Sequence, residues 1–184
     1  SGGVGGRMAL RRFGPYEFEH GAQFFTVKSE NFKNFITPLI KKNVVQQWNA
    51  RFAEFKNNKI LRRVTWGSEY PHYVGAPGMN EIPKYLSKEL NIKLNVKVNK
   101  IIRNTANGWE LFDDDLNKLG EYDWVISTAP AIQSAEILPV CFKHRNNLLN
   151  KKMVGCFSLM LGFTKALPLL WDAALISDAN ISWV

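Results

Sequence analysis

Gly2-Gly3-Val4-Gly5-Gly6-Arg7-Met8-Ala9-Leu10-Arg11-Arg12 opens the chain, and Glu19-His20-Gly21-Ala22-Gln23-Phe24-Phe25-Thr26 follows shortly after. Four glycines in five positions leave a backbone that can take positive φ and approach a ligand closely, and the planar guanidinium of Arg7 follows at once. That combination suits an anion. The second stretch reads as a short strand whose Gly21-Ala22 step keeps one face bare, as a flat ring lying against backbone requires.

Outward from this start, Ser29 is a candidate N-cap before Phe32, Phe35, Ile36, Leu39 and Ile40, whose spacing predicts an amphipathic helix ending near Asn43. Residues 44–52 and 60–66 are β-rich and predict a hairpin joined at Lys56-Asn57-Asn58-Lys59. Tyr73 to Asn80 is a turn, with Pro77-Gly78 suited to the centre of a type II turn and Asn80 to capping a helix from Glu81 to about Leu90. Ile92, Leu94, Val96 and Val98 alternate with polar residues and predict a strand. Asn107-Gly108 signals a hairpin into Trp109, and the acidic run Asp113 to Glu121 reads as a loop. Tyr122 to Ala129 reads as a strand meeting a helix at Pro130, the kind of junction at which α/β sheets bind phosphates. Met153 to Phe163 is apolar on both faces and predicts a central strand. Pro168 marks a loop, and Ile181 to Val184 is strand-like.

The 184 residues, 46% hydrophobic and 22% charged, have globular composition and can bury a core. No apolar run approaches the roughly 20 residues of a membrane span and no apolar leader opens the chain, so a cytoplasmic protein without membrane contact is expected. Cys141 and Cys156 stand apart in apolar surroundings and read as buried, reduced thiols. His20, His72 and His144 form no ligand motif with them, so no metal site is expected. The net charge of +8 invites a nucleic-acid reading. Its cations are scattered as pairs in different elements, which favours a solvated surface and no nucleic-acid partner. A non-catalytic basic module binding nucleic acid or another polyanion stays as the alternative function.

Taken in order, the Gly-Gly-Arg-Met loop, Glu-His-Gly-Ala-Gln-Phe-Phe-Thr, Tyr-Val-Gly-Ala-Pro-Gly-Met-Asn and Asp-Trp-Val-Ile-Ser-Thr-Ala-Pro resemble the renalase-like branch of the flavin amine oxidase superfamily. The resemblance implies an oxidoreductase that holds FAD non-covalently and passes hydride from a dihydronicotinamide-type or amine substrate to flavin and then to O₂. The implied fold class is α+β or α/β, an incomplete Rossmann-like FAD-binding part interleaved with a substrate domain built on an antiparallel sheet with flanking helices. Residues 1–43 would be a remnant of the FAD domain with the first substrate-region helix, 44–75 a substrate-domain hairpin, 76–138 an FAD-domain helix and strands, and 139–184 substrate-domain strands. Members of this family begin with a strand, a G-x-G-x-x-G turn and a helix. The expectation is therefore a fragment lacking that unit and the family's last segment. In isolation it would be flavin-free and inactive, with self-association through exposed sheet edges.

By the same resemblance Gly5, Gly6 and Arg7 would hold the FAD pyrophosphate, or else form a glycine-rich, disordered end. Gly21, Ala22 and Gln23 would lie against the isoalloxazine, or form an ordinary bulged strand. Val98 would reach the adenine or serve as a core valine, and Thr128 and Ala129 would approach the cofactor or merely cap the next helix. Phe24, Tyr73 and Met79 would wall a pocket for a small planar substrate, or belong to the core. No residue is assigned a catalytic proton transfer. Hydride transfer from a dihydropyridine needs no protein base, and His20 beside a glycine reads as a structural hydrogen bonder.

Overall fold

A computed structural model describes residues 2–184; Ser1, the first residue of the predicted 1–43 segment, lies outside them. In chain order it contains a 3-10 turn (Gly6–Met8), β1 (Leu10–Phe13), β2 (Tyr16–Glu19), β3 (Phe25–Thr26), α1 (Glu30–Lys41), β4 (Val45–Gln47), β5 (Arg51–Lys56), β6 (Lys59–Thr65), β7 (His72–Gly75) and α2 (Glu81–Leu86). There follow β8 (Lys100–Arg103), β9 (Trp109–Phe112), β10 (Lys118–Tyr122), α3 (Ala131–Ile137), α4 (Arg145–Leu149) and β11 (Ala173–Ile176). The class is α+β, several small and mostly antiparallel sheets with a few helices, as the sequence implies. The chain divides into two compact units, one of residues 3–92 with 158–184 and one of residues 93–157 with Gly2.

In the first unit α1 forms where its pattern puts it. The Phe32 N–H donates to Ser29 Oγ at 3.3 Å, which caps the helix, and Ile36 and Leu39 are buried on its inner face. Leu39 then packs with Val45, Met79 and Ile82 in a core bordered by Met8, Ala22, Phe25 and Tyr73. Beside it lie an antiparallel β3-β7-β4 sheet and a β11-β5-β6 sheet in which β11 runs parallel to β5. Ala53, Ala173 and Ala174 are fully buried where β5 meets β11, small side chains that let neighbouring structure close over the pair.

Several expectations change here. The run 44–52 is two strands, β4 pairing with β7 and β5 with β6, so the hairpin is β5–β6 turning at Asn57 and Asn58, both at positive φ. Gly78 does not take the positive φ that a type II turn demands, and the Ala76–Pro77 peptide bond is cis. Asn80 precedes α2 without a capping hydrogen bond from its side chain, and α2 ends at Leu86 rather than near Leu90. The Glu19–Thr26 stretch is not one strand; an irregular link, residues 20–24, joins β2 to β3.

The second unit is an antiparallel meander in the order β10-β9-β8, with α3 packed against β8 and Ile101 and Ala135 buried. The Asn107-Gly108 hairpin forms as expected, with Asn107 at φ 65° and Asn104 Oδ1 accepting from the Gly108 N–H at 2.7 Å. The acidic loop is shorter than read. Asp113 accepts from the N–H groups of Asp115 and Asn117 at 3.0 and 2.8 Å, a local turn that lets Lys118 to Tyr122 return as β10.

Three predicted strands are absent. Residues 92–98, 123–129 and 153–163 form no ladder, and most of their apolar side chains are exposed, Trp124 by 86% and Phe157 by 99%, with Val98 and Val125 half-buried. A strand needs a neighbour for its N–H and C=O groups, and among the described residues these stretches have none. Cys141 and Cys156 lie in such exposed chain and are not buried. Among the described residues no helix is long and apolar enough to cross a membrane.

Candidate functional site

The glycine-rich opening folds into a short 3-10 turn, Gly6–Met8, entered through a left-handed Gly5. Gly5 takes φ 103° and Gly6 φ 49°, conformations that a side chain disfavours. Gly5 is also pressed on Pro83, whose Cγ would stand 2.5 Å from an added Cβ, whereas the space beyond Gly6 is open for 4 Å. The carbonyls of Gly5 and Gly6 accept from Met8 and Ala9 at 2.9 and 3.1 Å and close the 3-10 turn. The N–H groups of Gly5, Gly6 and Arg7 have no acceptor among the described residues, and the exposed Arg7 guanidinium has no carboxylate partner there. Successive N–H donors in left-handed backbone beside an unpaired guanidinium are chemically suited to an anion such as a dinucleotide pyrophosphate.

The second piece of the motif is bonded to the first. The Ala22 N–H donates to the Arg7 carbonyl at 2.8 Å, and a Cβ on Gly21 would lie 1.9 Å from that same oxygen. Gly21 is therefore required by backbone packing against Arg7. Ala22 packs on the core and Gln23 is exposed, its amide without a hydrogen bond among the described residues.

Glu19 ties this region to the turn before α2. Its Oε1 accepts from the Met79 N–H at 2.8 Å, and Gly75 donates to Met79 Sδ at 3.2 Å. Gly75 is needed in that turn, because a Cβ there would strike the Gly78 carbonyl at 2.4 Å. Burial pushes the Glu19 carboxyl above the usual carboxylate range, against the opposing pull of the Met79 N–H and His20. Glu19 Oε2 and Asn80 Oδ1 are both buried without a hydrogen-bond partner. The sequence reading did not single out Glu19; its place at the end of β2, next to His20-Gly21, was the available signal.

Phe24 sits in an aromatic group that the sequence reading also missed. Its ring centroid lies 6.1 Å from Trp48, 5.1 Å from Trp66, 5.0 Å from His72 and 5.8 Å from Trp183. His72 stacks on Trp66 at 3.8 Å and 7°, with Nδ1 donating to the Tyr70 carbonyl at 2.9 Å. Three tryptophans near strand ends were the visible hint, but only the fold brings them together. Tyr73 is elsewhere, stacked on Phe25 at 5.8 Å beside the core, and Met79 is buried in that core with 2% exposure. A side chain so enclosed packs the fold and presents no surface.

Val98, Thr128 and Ala129 belong to the second unit, Val98 half-buried in irregular chain before β8 and the other two exposed ahead of α3. The Ala129 carbonyl accepts from Ser134 Oγ at 3.0 Å, and neither Thr128 nor Ala129 supplies a side-chain cap to α3.

A family model described as flavin containing amine oxidoreductase matches residues 53–181. Tyr73, Met79, Val98, Thr128 and Ala129 fall within the match, while the Gly5–Arg7 and Gly21–Gln23 pieces lie ahead of it.

Proposed function

The chain belongs to the family of flavin containing amine oxidoreductases, and from that premise we propose that it supplies part of the FAD site of a renalase-like oxidoreductase. The observation that carries the reading is the Ala22 N–H to Arg7 carbonyl bond, which holds the anion-suited loop and the bare Gly21-Ala22 backbone side by side. In this reading Gly5 and Gly6 offer N–H groups, and Arg7 its guanidinium, to the pyrophosphate. Gly21, Ala22 and Gln23 line the isoalloxazine, with the Gln23 amide free to meet a polar ring edge. Val98, Thr128 and Ala129 keep cofactor roles by family resemblance alone.

The chemistry FAD supplies when bound is acceptance of a hydride from a dihydronicotinamide-type or amine substrate and transfer of the two electrons to O₂. The protein's own work is to bind, orient and exclude water. Phe24 with Trp48, Trp66 and Trp183 offers π faces against which a planar, weakly hydrated substrate gains about 0.5–1.5 kcal/mol per ring pair beyond area burial. No side chain is assigned a proton transfer, which suits a hydride donor better than a protonated amine. Mixing the FAD-loaded protein anaerobically with a dihydronicotinamide isomer or with benzylamine tests this. Fast bleaching of the flavin band by the former, with colour returning on O₂, is expected; bleaching by neither would overturn the proposal.

A further inference from the structure

The β1–β2 hairpin presents two faces of different character. Its register pairs Leu10 with Glu19, Arg11 with Phe18, Arg12 with Glu17 and Phe13 with Tyr16. Directly opposed residues share a face and faces alternate along a strand. Leu10, Arg12, Glu17 and Glu19 therefore form one side, Arg11, Phe13, Tyr16 and Phe18 the other. On the first side Arg12 Nε pairs with Glu17 Oε1 at 2.5 Å and Glu19 Oε1 accepts from the Met79 N–H. On the second, Arg11 has no carboxylate partner among the described residues.

That second face lines an open groove of about 440 Å³ together with Met160, Gly162 and the Glu17-paired Arg12. The volume falls in the usual range of small-molecule sites, about 300–1,000 Å³. Its floor is held in place. Tyr16 Oη donates to the Phe163 carbonyl at 3.2 Å, and the Tyr16 ring lies so close to Gly162 that an added Cβ would meet it at 3.1 Å. The Tyr16 and Phe18 rings stand 6.1 Å apart at 31°. None of the residues assigned to the cofactor lines this groove.

We propose that this face is a binding site for a planar aromatic carboxylate, with Arg11 taking the carboxylate and Phe13, Tyr16, Phe18 and the Met160 thioether taking the ring. A guanidinium matches a carboxylate in plane and in spacing, and one unpaired cation balances one negative charge, which favours a monoanion over a phosphate dianion. Aromatic walls select a ring over an aliphatic body of similar size.

Calorimetric titration of the chain with three probes tests the site: 2-naphthoate, its neutral isostere 2-naphthylmethanol, and cyclohexanecarboxylate. 2-Naphthoate should bind at least about tenfold more tightly than either analogue, the difference expected of one charge-assisted hydrogen bond or one ring platform. Arg11→Ala should abolish the preference for naphthoate over naphthylmethanol, and Arg11→Lys should retain part of it. Phe18→Ala should weaken both naphthyl probes alike, while Lys28→Ala, an exposed cation outside the groove, should change nothing. Arg11 is exposed, so its variants should keep the wild-type melting temperature even if Phe18→Ala does not fold. Equal binding of naphthoate and naphthylmethanol by the wild type, or an unchanged preference in Arg11→Ala, would overturn the proposal.

Discussion

The carbonyl oxygen of Arg7 receives the Ala22 N–H at 2.8 Å, and Gly21 approaches that oxygen so closely that a methyl group there would overlap it at 1.9 Å. Two motifs separated along the chain thereby share one backbone junction. Gly21→Ala forces backbone against backbone, and the expected loss is about 3 kcal/mol or more, the upper end of overpacking costs. Gly67→Ala, where nothing lies within 4 Å, is the control and should stay within about 0.5 kcal/mol. Urea denaturation of the two variants checks this.

Local signals were the legible part of this chain. Ser29 with its apolar period specifies α1 because cap and face both act within a few residues, and Asn107-Gly108 specifies the β8–β9 hairpin because the positive φ is an intrinsic preference. Residues 92–98 and 153–163 have strand composition but no ladder, since a strand depends on what lies beside it. Asp113 shows the reverse case, a polar run whose side chain folds a tight turn and frees the following residues to pair. At the site, the glycines and Arg7 were readable as motif chemistry. The aromatic group around Phe24 was not, because Trp48, Trp66, His72 and Trp183 come from distant stretches that only tertiary packing assembles.

Glu19 links stability to pH. Its folded-state pKa is raised from the ordinary 4.5, mainly by burial. The protonated form is thus favoured by folding, and this contribution is complete below pH 4.5 and is lost as pH rises through the raised value. Glu19→Gln keeps an acceptor for the Met79 N–H and adds a donor where two buried oxygens have none. At neutral pH the variant should gain up to about 1 kcal/mol, and the part of the decline in melting temperature above pH 4.5 due to Glu19 should vanish. Thermal melts across that range decide it.

Asp172 acts in the opposite sense. Its carboxylate accepts from the Arg51 N–H and Nε at 2.8 and 3.0 Å, and these bonds hold its pKa down, from 3.8 to about 2. The pair stabilises the start of the β5–β11 ladder above pH 3.8, and the contribution fades as pH falls toward about 2. Asp172→Asn should flatten the melting temperature between about pH 5 and about pH 2. Because the pair is largely exposed, added salt should shrink the wild-type effect.

The most direct test of the central claim is an FAD titration of the protein expressed from its complete coding sequence, followed by the flavin absorption band retained after gel filtration. One flavin per chain, a rise in melting temperature with added FAD, and at least about tenfold weaker binding in Arg7→Ala from loss of a charge-assisted contact are expected. A colourless protein whose melting temperature ignores FAD would contradict the claim, as would an Arg7→Ala variant that holds FAD as tightly as the wild type.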